Sequence, residues 1–567
     1  MKKLALLLSI LSITAIASAA DDFDLFVTDY MEDPTPEQKP FIQKPTIVTN
    51  AVEVVVKTKD GKTITQQAPE RVLIQRAAEG DVRQVKMFAS PGEYEPFSFT
   101  LSPKDNLEQV MITASDLTGP GTIAASNVVI AGVEQFHGGA KDILIPLGKP
   151  WDMAAAAAER FWYTIKVPAD AKPGIYKGTA TVNVKGKPAG SINVELEVLP
   201  ITLKDVPYSI GFNYSKPASA AALEAELKDM REHGMTTVAP LYNWEMPIHT
   251  NSTKELGDLV ESFKKAGFPG TFYFATPMDL TMGGLAGYGD INSRRYQQKL
   301  LSVLRLINDE IKKHDIKYII SVGDENTNKG IAGVKYIETI AKFLGEEFPE
   351  LPSTSDMNGY MEVMATAPHL NVATFNDGWA GADGHNKTKH LINKAFITEL
   401  QEKTGAIPWF VNAQRGRFPF GFFFWKMAKY GVQGKIEWYY FYDISTRGWS
   451  SVNTQIDKQT GKVSVYPTLD YERCREGIDD LKYLCCLEDL IAQAKKANKT
   501  GPELKKAEDY VKSLSDLIAD DWAAYGGGST FDGFAIVDPD KAASVGSLNA
   551  IRYEIATRIV ELQKAMK

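Results

Sequence analysis

The sequence is poor in cysteine and histidine, with three and seven among 567 residues. Cys474, Cys485 and Cys486 fall in one predicted helix, where the first two lie about 16 Å apart along the axis, too far for a disulfide. No metal-ligand spacing accompanies them, and no His-Glu-x-x-His zinc motif occurs. We therefore expect neither a structural disulfide nor a bound metal, and no other cofactor.

Other signatures of chemistry are missing too. The sequence contains no Gly-x-Ser-x-Gly nucleophile elbow. Its formal net charge is -8, and the sequence contains no long basic run. These two features argue against nucleic acid and anionic membrane surfaces as partners. Aromatic residues make up 10% of the chain. A neutral, polar substrate such as a glycan or oligosaccharide fits these features better.

Long apolar runs are absent except at the N-terminus. Lys2 and Lys3 precede an apolar run over residues 4–16, and small residues follow at 17–20. This arrangement is typical of a secretory signal peptide. We expect export to the periplasm or beyond, with no membrane insertion after cleavage.

The remaining chain divides by its pattern into four segments. Residues 21–44 are acidic and proline-bearing, which predicts an extended lead-in. Residues 45–202 contain short runs of strand formers separated by turn pairs such as Lys185-Gly186, a pattern that predicts a β-sandwich domain. Residues 203–465 alternate strands with amphipathic helices, and residues 466–567 are predicted to form a helical C-terminal region.

Eight apolar segments in the third region alternate with helical patterns, which predicts a (β/α)8 TIM barrel. A doubly wound sheet is the alternative, but no glycine-rich phosphate fingerprint follows the first strand. The predicted strands are 209–213, 236–241, 271–274, 318–322, 351–354, 372–375, 409–412 and 436–441.

Two adjacent carboxylates end the fourth predicted strand, where Gly323 is followed by Asp324 and Glu325. Active sites of TIM barrels lie at the C-terminal ends of the strands. Two acids this close cannot both ionise freely, so one becomes a proton donor while the other stays charged. Glycoside cleavage needs such a division of labour. The alternative interpretation is a solvated or salt-bridged pair in a loop.

The other strand ends are rich in amides, acids and aromatic rings. Apolar ring faces stack on sugars while polar groups bind the hydroxyls, so these side chains are predicted to bind substrate. They are Asn213, Tyr214, Asn243, Trp244, Asn326, Asp356, Asn376, Asp377, Trp379, Asn412, Arg415, Trp438, Tyr440 and Tyr442.

Glu437 on the eighth strand is a second acid that could pair with Glu325. Strand alternation places it opposite Trp438, Tyr440 and Tyr442. If those aromatic rings face the barrel interior, Glu437 faces the helix layer.

Several motifs together resemble a known family. They are 93–99 and 161–178 in the sandwich, 231–235 in the second barrel unit, Asp324-Glu325, and 471–480 after the barrel. Their order and spacing resemble glycoside hydrolase family 123 and its relatives in the domain family of unknown function 4091.

The resemblance implies a retaining β-N-acetylgalactosaminidase in which the substrate's 2-acetamido oxygen attacks the anomeric carbon. It implies that Glu325 is the acid and then the base, and that Asp324 orients the acetamido group. Tyr440 or Tyr442 would hold the acetamido oxygen. Two alternatives remain: a glycosidase on another sugar using Glu325 with Glu437 or Asp377, and a non-catalytic carbohydrate-binding surface protein.

Overall fold

The structure is a computed structural model. It describes residues 22–30, 45–47, 52–57, 63–68, 72–74, 82–136, 141–241, 244–275, 284–376, 390–441, 450–525 and 545–567. The predicted signal peptide, residues 1–20, lies outside the described residues.

The N-terminal part is a β-sandwich of two sheets whose inner faces share one apolar core. Phe97, Phe99 and Leu101 alternate along one strand and are almost fully buried, as expected where a sheet buries one face. The first sheet has the order β1-β7-β14-β11-β12, and the second has β10-β9-β15-β16-β6 with β8 and β13 attached. The strands of the sandwich are β1 (Phe23–Thr28), β6 (Gln84–Ala89), β7 (Tyr94–Pro103), β8 (Leu107–Ala114), β9 (Leu117–Thr118), β10 (Thr122–Ile123), β11 (Val128–Gln135), β12 (Lys141–Pro146), β13 (Trp151–Met153), β14 (Glu159–Lys166), β15 (Gly174–Val184) and β16 (Lys187–Val198).

Local chemistry explains the long hairpin of this domain. Strands β15 and β16 are joined by Lys185 and Gly186, which both have positive φ, 51° and 74°. That geometry is typical of the two-residue hairpin turn whose twist matches the strands. Two small additional pairs join β2 (Pro45–Ile47) to β5 (Val72–Ile74) and β3 (Val52–Lys57) to β4 (Thr63–Ala68).

Part of the predicted lead-in is built into the sandwich. Strand β1 lies in that segment and pairs antiparallel with β7, so the sandwich begins before residue 45. Tyr30, just beyond it, is buried, and its hydroxyl donates to Glu476 Oε2 at 3.1 Å. This part of the lead-in packs against the sandwich because Phe23, Leu25 and Val27 bury their side chains in the sandwich core.

The central part is a nearly closed parallel barrel of eight strands with the order β18-β17-β24-β23-β22-β21-β20-β19. Across the remaining seam, the Tyr273 amide donates to the Val238 carbonyl at 3.4 Å. Each predicted barrel strand has a counterpart, and the predicted fold is confirmed. The strands are β17 (Ser209–Tyr214), β18 (Ala239–Pro240), β19 (Phe272–Ala275), β20 (Tyr318–Asp324), β21 (Ser353–Met357), β22 (Val372–Phe375), β23 (Ile407–Val411) and β24 (Gly434–Glu437).

Strand alternation separates two apolar layers in the barrel. The inner face contributes to one cluster with Tyr273, Ile319, Trp409 and Ile436. The outer face packs on the surrounding helices, which are α1 (Ala220–Glu232), α2 (Lys254–Lys265), α3 (Arg294–Lys312), α4 (Gly330–Glu347), α5 (Tyr360–Thr366), α6 (Lys394–Thr404), α7 (Arg417–Phe420) and α8 (Phe422–Ala428).

The helix boundaries follow from capping chemistry. Ser219, Ser293 and Asn393 accept hydrogen bonds from backbone amides in the first turns of α1, α3 and α6, which satisfies donors that the helix leaves open. Gly234, with φ of 80°, follows the end of α1, a position where glycine commonly ends a helix. Short 3-10 turns occur at Ala125–Asn127, Ala286–Tyr288, Asn326–Lys329, Ala367–His369 and Trp522–Tyr525.

After the barrel, the hairpin β25 (Val452–Ile456) and β26 (Val463–Pro467) leads into α9 (Leu469–Lys496), α10 (Pro502–Leu517) and α11 (Val545–Met566). The three cysteines lie on α9 and are free, and Cys474 is buried. No helix among the described residues is long and apolar enough to cross a membrane.

A buried group of charges joins the sandwich, the barrel and the C-terminal helices; we call it the junction cluster. It consists of Arg417, Arg552, Glu95, Glu476 and Asp480, all at most 1% exposed. Arg417 Nε lies 2.7 Å from Asp480 Oδ2, and Arg552 lies 3.0 Å from Glu476 Oε2 and 3.4 Å from Glu95 Oε2. Each acid of the cluster therefore contacts a guanidinium.

Candidate active site

The strand that carries the two predicted acids contains a β-bulge. The pairing of β20 with β21 shifts between Ser321 and Asp324, as it does where one strand holds an extra residue. A Cβ on Gly323 would lie 2.5 Å from side-chain atoms of both Ile337 and Ser355, so only glycine fits this position. The bulge brings Asp324 into register with Asp356 on β21.

Glu325 begins the turn that follows the strand. Its backbone is left-handed, with φ 43° and ψ 47°, and its amide donates to the Asp356 carbonyl at 2.7 Å. Its carboxylate accepts from Asn376 Nδ2 on Oε1 and from Asn328 Nδ2 on Oε2, both at 3.1 Å. Asp324 and Glu325 are both partly exposed. The predicted acids therefore lie at the C-terminal end of the barrel, where a ligand can reach them.

Glu362 of α5 fixes this turn, although nothing in the sequence singles it out. It is fully buried. Its carboxylate accepts from the backbone amides of Asn326, Thr327 and Asn358 at 2.8, 3.2 and 2.9 Å, and also from the Thr327 hydroxyl. One carboxylate thus ties the turn after β20 to the turn after β21, which holds Glu325 in place.

Asp356 lies beside the two acids rather than on the substrate surface. It is 2% exposed, and one carboxyl oxygen accepts the hydroxyl hydrogen of Tyr273, a buried residue of β19. The predicted direct contact of Asp356 with substrate is therefore wrong, because packing covers its carboxyl group. Tyr273 follows the inward alternation of its strand, a signal that could have identified it.

The carboxyl groups raise one another's pKa values. Burial raises the pKa of Asp324 well above its ordinary value, and the charges of Asp356, Glu325 and Glu362 raise it further. Burial also raises the pKa of Asp356 to about 7, although the hydrogen bond from Tyr273 opposes this increase. The raised pKa values favour the protonated forms of these two acids, as acid chemistry in such a site requires.

The opposite wall of the barrel carries an aromatic ring and two amides. In the strand order, β24 lies across the barrel from β20. Trp438 follows β24, packs on the inner cluster and is partly exposed. Asn213 and Asn412 are buried at the ends of the two strands beside β24, and no described residue forms a hydrogen bond with either Oδ1. Both Oδ1 atoms are thus buried acceptors at the same wall as Trp438, without a partner among the described residues.

Two predicted sugar-contacting tyrosines face the helices instead. The Tyr214 hydroxyl donates to Glu226 of α1 at 2.7 Å, and the Tyr440 hydroxyl donates to Asp229 of the same helix at 2.8 Å. Both tyrosines are fully buried. The prediction for Tyr440 extended strand alternation beyond Glu437, where the strand ends. The prediction for Tyr214 overlooked that it lies on the same outward face as Phe212.

Three more predicted contacts serve the protein itself. Arg415 donates from Nε to the Trp438 carbonyl at 2.7 Å, so it supports that residue's backbone. Trp244 is 7% exposed, and its indole N–H donates to the Tyr214 carbonyl at 3.4 Å. Asn326 is buried, with Nδ2 on the side of Gly323 that faces α4. Trp244 and Asn326 are therefore covered by packing, whereas the Arg415 side chain is partly exposed and its contact with substrate stays a prediction.

Glu437 has the orientation expected from alternation. It is 2% exposed and pairs with Lys435 Nζ at 3.1 Å. Lys435 also donates to the Ala413 carbonyl and lies over the Phe420 ring of α7. Glu437 therefore faces the helix layer, which removes it as a partner for Glu325.

Asn243, Asp377, Trp379 and Tyr442 lie outside the described residues. Among the residues that the structure describes, no group of three or more His, Cys, Asp or Glu side chains is arranged to hold a metal ion.

Comparison with solved structures shows where this fold occurs. The chain is similar to a family 123 glycoside hydrolase from Clostridium perfringens, characterised in glycolipid glycan hydrolysis. The TM-score is 0.62, the identity is 14%, and the match covers 86% of this chain and 96% of that one. The fold expected from the family resemblance is therefore confirmed.

Two Bacteroides cellulosilyticus enzymes match more weakly. A family 2 glycosyl hydrolase has a TM-score of 0.31 at 11% identity, covering 70% of this chain and 47% of that one. A family 39 glycoside hydrolase has a TM-score of 0.36 at 11% identity, covering 65% and 80%. No family model matches the sequence, and no curated protein matches it.

Proposed function

We propose that this protein is a retaining glycoside hydrolase that cleaves a β-linked 2-acetamido sugar, with N-acetylgalactosamine as the preferred residue. The observation that carries the proposal is the bulged end of β20, which presents Asp324 and Glu325 together at the barrel mouth. The shared fold with a family 123 glycoside hydrolase supports it. So does the sequence resemblance to that family.

In the proposed reaction, Glu325 protonates the glycosidic oxygen as the bond to the leaving group breaks. The substrate's acetamido oxygen attacks the anomeric carbon and forms an oxazolinium ion. Glu325 then removes a proton from the water that opens this ion, which gives net retention. Adjacent acids suffice because the substrate supplies the nucleophile, so no second carboxylate is needed across the sugar.

Asp324 accepts a hydrogen bond from the acetamido N–H and stabilises the positive charge that develops on that group. Asn376 and Asn328 hold the Glu325 carboxylate through its two oxygens. Trp438 provides an apolar face for the sugar ring across the barrel. Asn213 and Asn412 offer their free Oδ1 atoms to donors on the substrate.

Two aryl glycosides that differ only at carbon 2 test the proposal. The protein should hydrolyse the 2-acetamido-2-deoxy-β-galactoside and leave the β-galactoside intact. Proton NMR of the first product should show the β-anomer. Cleavage of the 2-hydroxyl sugar alone would support a glycosidase with a protein nucleophile, for which Asp377 remains a candidate. Failure to cleave any glycan would favour a binding protein.

We also propose that the protein is exported, on the strength of residues 1–20. N-terminal sequencing of the protein recovered from the periplasm or medium should begin near residue 21. A full-length chain retained in the cytoplasm would contradict export.

A further inference from the structure

A third acid, Asp356, lies next to the catalytic pair but out of reach of a sugar. Its Cα is paired with that of Asp324 across β20 and β21. Neighbouring strands run about 4.8 Å apart. Two carboxyl groups projecting from the same face at this separation can share a hydrogen.

The surroundings of this pair are almost entirely anionic. Glu325 from the turn after β20 and Glu362 from α5 both raise the pKa of Asp324 and of Asp356. The charge of Lys329 lowers the pKa of Asp324 but is the smallest of the effects that act with burial, and the Lys329 side chain is exposed. Full ionisation of both acids would therefore leave two negative charges side by side, that of Asp356 fully buried, with little compensation.

Tyr273 sets the orientation of the buried acid. Its hydroxyl hydrogen points to Asp356 Oδ1. Burial and the charge of Asp356 raise the pKa of Tyr273 well above its ordinary value, so it remains a donor. This bond favours the ionised form of Asp356 in the empty site, leaving the shared proton on Asp324.

We propose that Asp356 is a positioning residue that shares a single proton with Asp324 and accepts it when the substrate binds. In this step the Asp324 O–H bond breaks and an Asp356 O–H bond forms, so the charge of the pair stays at minus one. Asp324 becomes the anion just where the acetamido group develops positive charge. The inference rests on the proposed function, since that function requires Asp324 to be charged.

Asp356→Asn tests the idea, because asparagine keeps the shape but can neither carry the charge nor accept the proton. The substrate should be the 2,4-dinitrophenyl acetamido glycoside, whose leaving group needs little protonation. The acid limb of its kcat/KM–pH profile then reports Asp324 rather than Glu325, because kcat/KM does not include the later step in which Glu325 acts as the base. The limb should move to higher pH by roughly one unit, because no proton shared with Asp356 stabilises the Asp324 anion in the variant. A move to lower pH would mean that Asp356 is ionised when Asp324 acts, which would overturn the proposal.

Thr354→Val is the matched control. Thr354 lies two residues earlier on β21 and bonds the Thr374 hydroxyl at 2.7 Å, so the change removes a buried hydrogen bond without altering charge. Its acid limb should stay in place. A merely structural role for Asp356 would lower the rate of Asp356→Asn at all pH values and leave the limb unmoved, which would overturn the proposal.

Infrared difference spectra of the ligand-free protein separate this inference from the proposed function. The absorption of protonated carboxyl groups should decrease as the pH rises from mildly acidic to mildly alkaline values. This decrease should be smaller in both Asp324→Asn and Asp356→Asn than in the wild type. Identical titrations in all three proteins would refute proton sharing, whatever sugar the enzyme cleaves. If the wild-type protein cleaves no acetamido sugar, but its infrared titration still differs from those of the two variants, only the glycosidase assignment is refuted.

Discussion

Two groups of buried or half-buried acids in this protein are treated in opposite ways. At the barrel mouth, Asp324, Glu325, Asp356 and Glu362 lie together, and their bonds come from amides, hydroxyls and backbone N–H groups. At the junction, the acids contact guanidinium groups, for example Asp480 against Arg417.

The contrast distinguishes acids that can transfer a proton from acids that hold parts of the chain together. At the junction, burial raises the pKa values of Glu95 and Glu476, whereas the guanidinium groups of Arg552 and Arg417 lower them and hold both carboxyl groups in place. At the barrel mouth, burial and neighbouring acids raise the pKa values of Asp324 and Asp356, so these two groups can exchange a proton. The acids at the barrel mouth therefore have properties suited to acid catalysis. The junction cluster instead joins the sandwich, the barrel and the C-terminal helices.

Glu325→Gln should give the largest effect on activity. Removing a general acid costs about 10²–10⁴ in rate, and the loss in kcat/KM should be greatest for a poorly activated leaving group and small for a dinitrophenyl leaving group. Steady-state kinetics on the two glycosides measures this. The exposed Glu346→Gln on α4 is the control. A variant with near-normal rates on both substrates would exclude the proposed acid.

Arg552→Met should have the largest effect on stability. It leaves Glu95, Glu476 and Asp480 with less compensation in a dry interior, and breaking a buried charge pair costs about 3–5 kcal/mol. Urea unfolding should show a lower midpoint, or the variant should fail to fold. An unchanged midpoint would mean that the junction cluster does not hold the three parts together.

Glu362→Gln should reduce kcat with little change in KM. The amide would turn its own N–H donors toward backbone donors, releasing the turn that carries Glu325, and misplacing a catalytic group can cost about 10²-fold. Kinetics together with circular dichroism checks this. The exposed Glu338→Gln should be neutral. An equal fall in stability and activity, tracking only the folded fraction, would indicate a purely structural role.

The pH dependence of stability should reveal the raised pKa of Glu93, which lies beside the junction cluster. Burial and the charge of Asp479 raise its pKa from 4.5 to about 8. The folded state therefore holds a proton that the unfolded state releases, so this contribution to stability is complete below about 4.5 and disappears as pH rises to about 8. Urea unfolding at several pH values should show a shallower decline for Glu93→Gln. Identical slopes for the two proteins would contradict it.

Tyr440→Phe should give the smallest effect. The hydroxyl bonds Asp229 on the helix side, so its loss should cost about 1 kcal/mol of stability and leave kcat and KM unchanged. A specific loss of activity on acetamido sugars would restore Tyr440 to the substrate surface.

Much of the architecture could be predicted because apolar periodicity reports burial directly. It identified the eight barrel strands, the acids at the end of β20 and the outward orientation of Glu437. Alternation stops being informative where a strand ends, which is why Tyr440 was misplaced. It also ignores bulges, so the alignment of Asp324 with Asp356 was not predictable. Glu362 lies in a short helix 37 residues beyond Glu325, and only the folded chain brings the two together.

The central claim, that the mouth acids assist a nucleophile supplied by the substrate, is tested most directly with an N-acyl series. Aryl galactosaminides would carry acetyl, fluoroacetyl, difluoroacetyl or trifluoroacetyl groups on nitrogen. Each fluorine weakens the acyl oxygen as a nucleophile, so the account predicts that kcat/KM falls steeply along the series. A rate independent of fluorine content would contradict it.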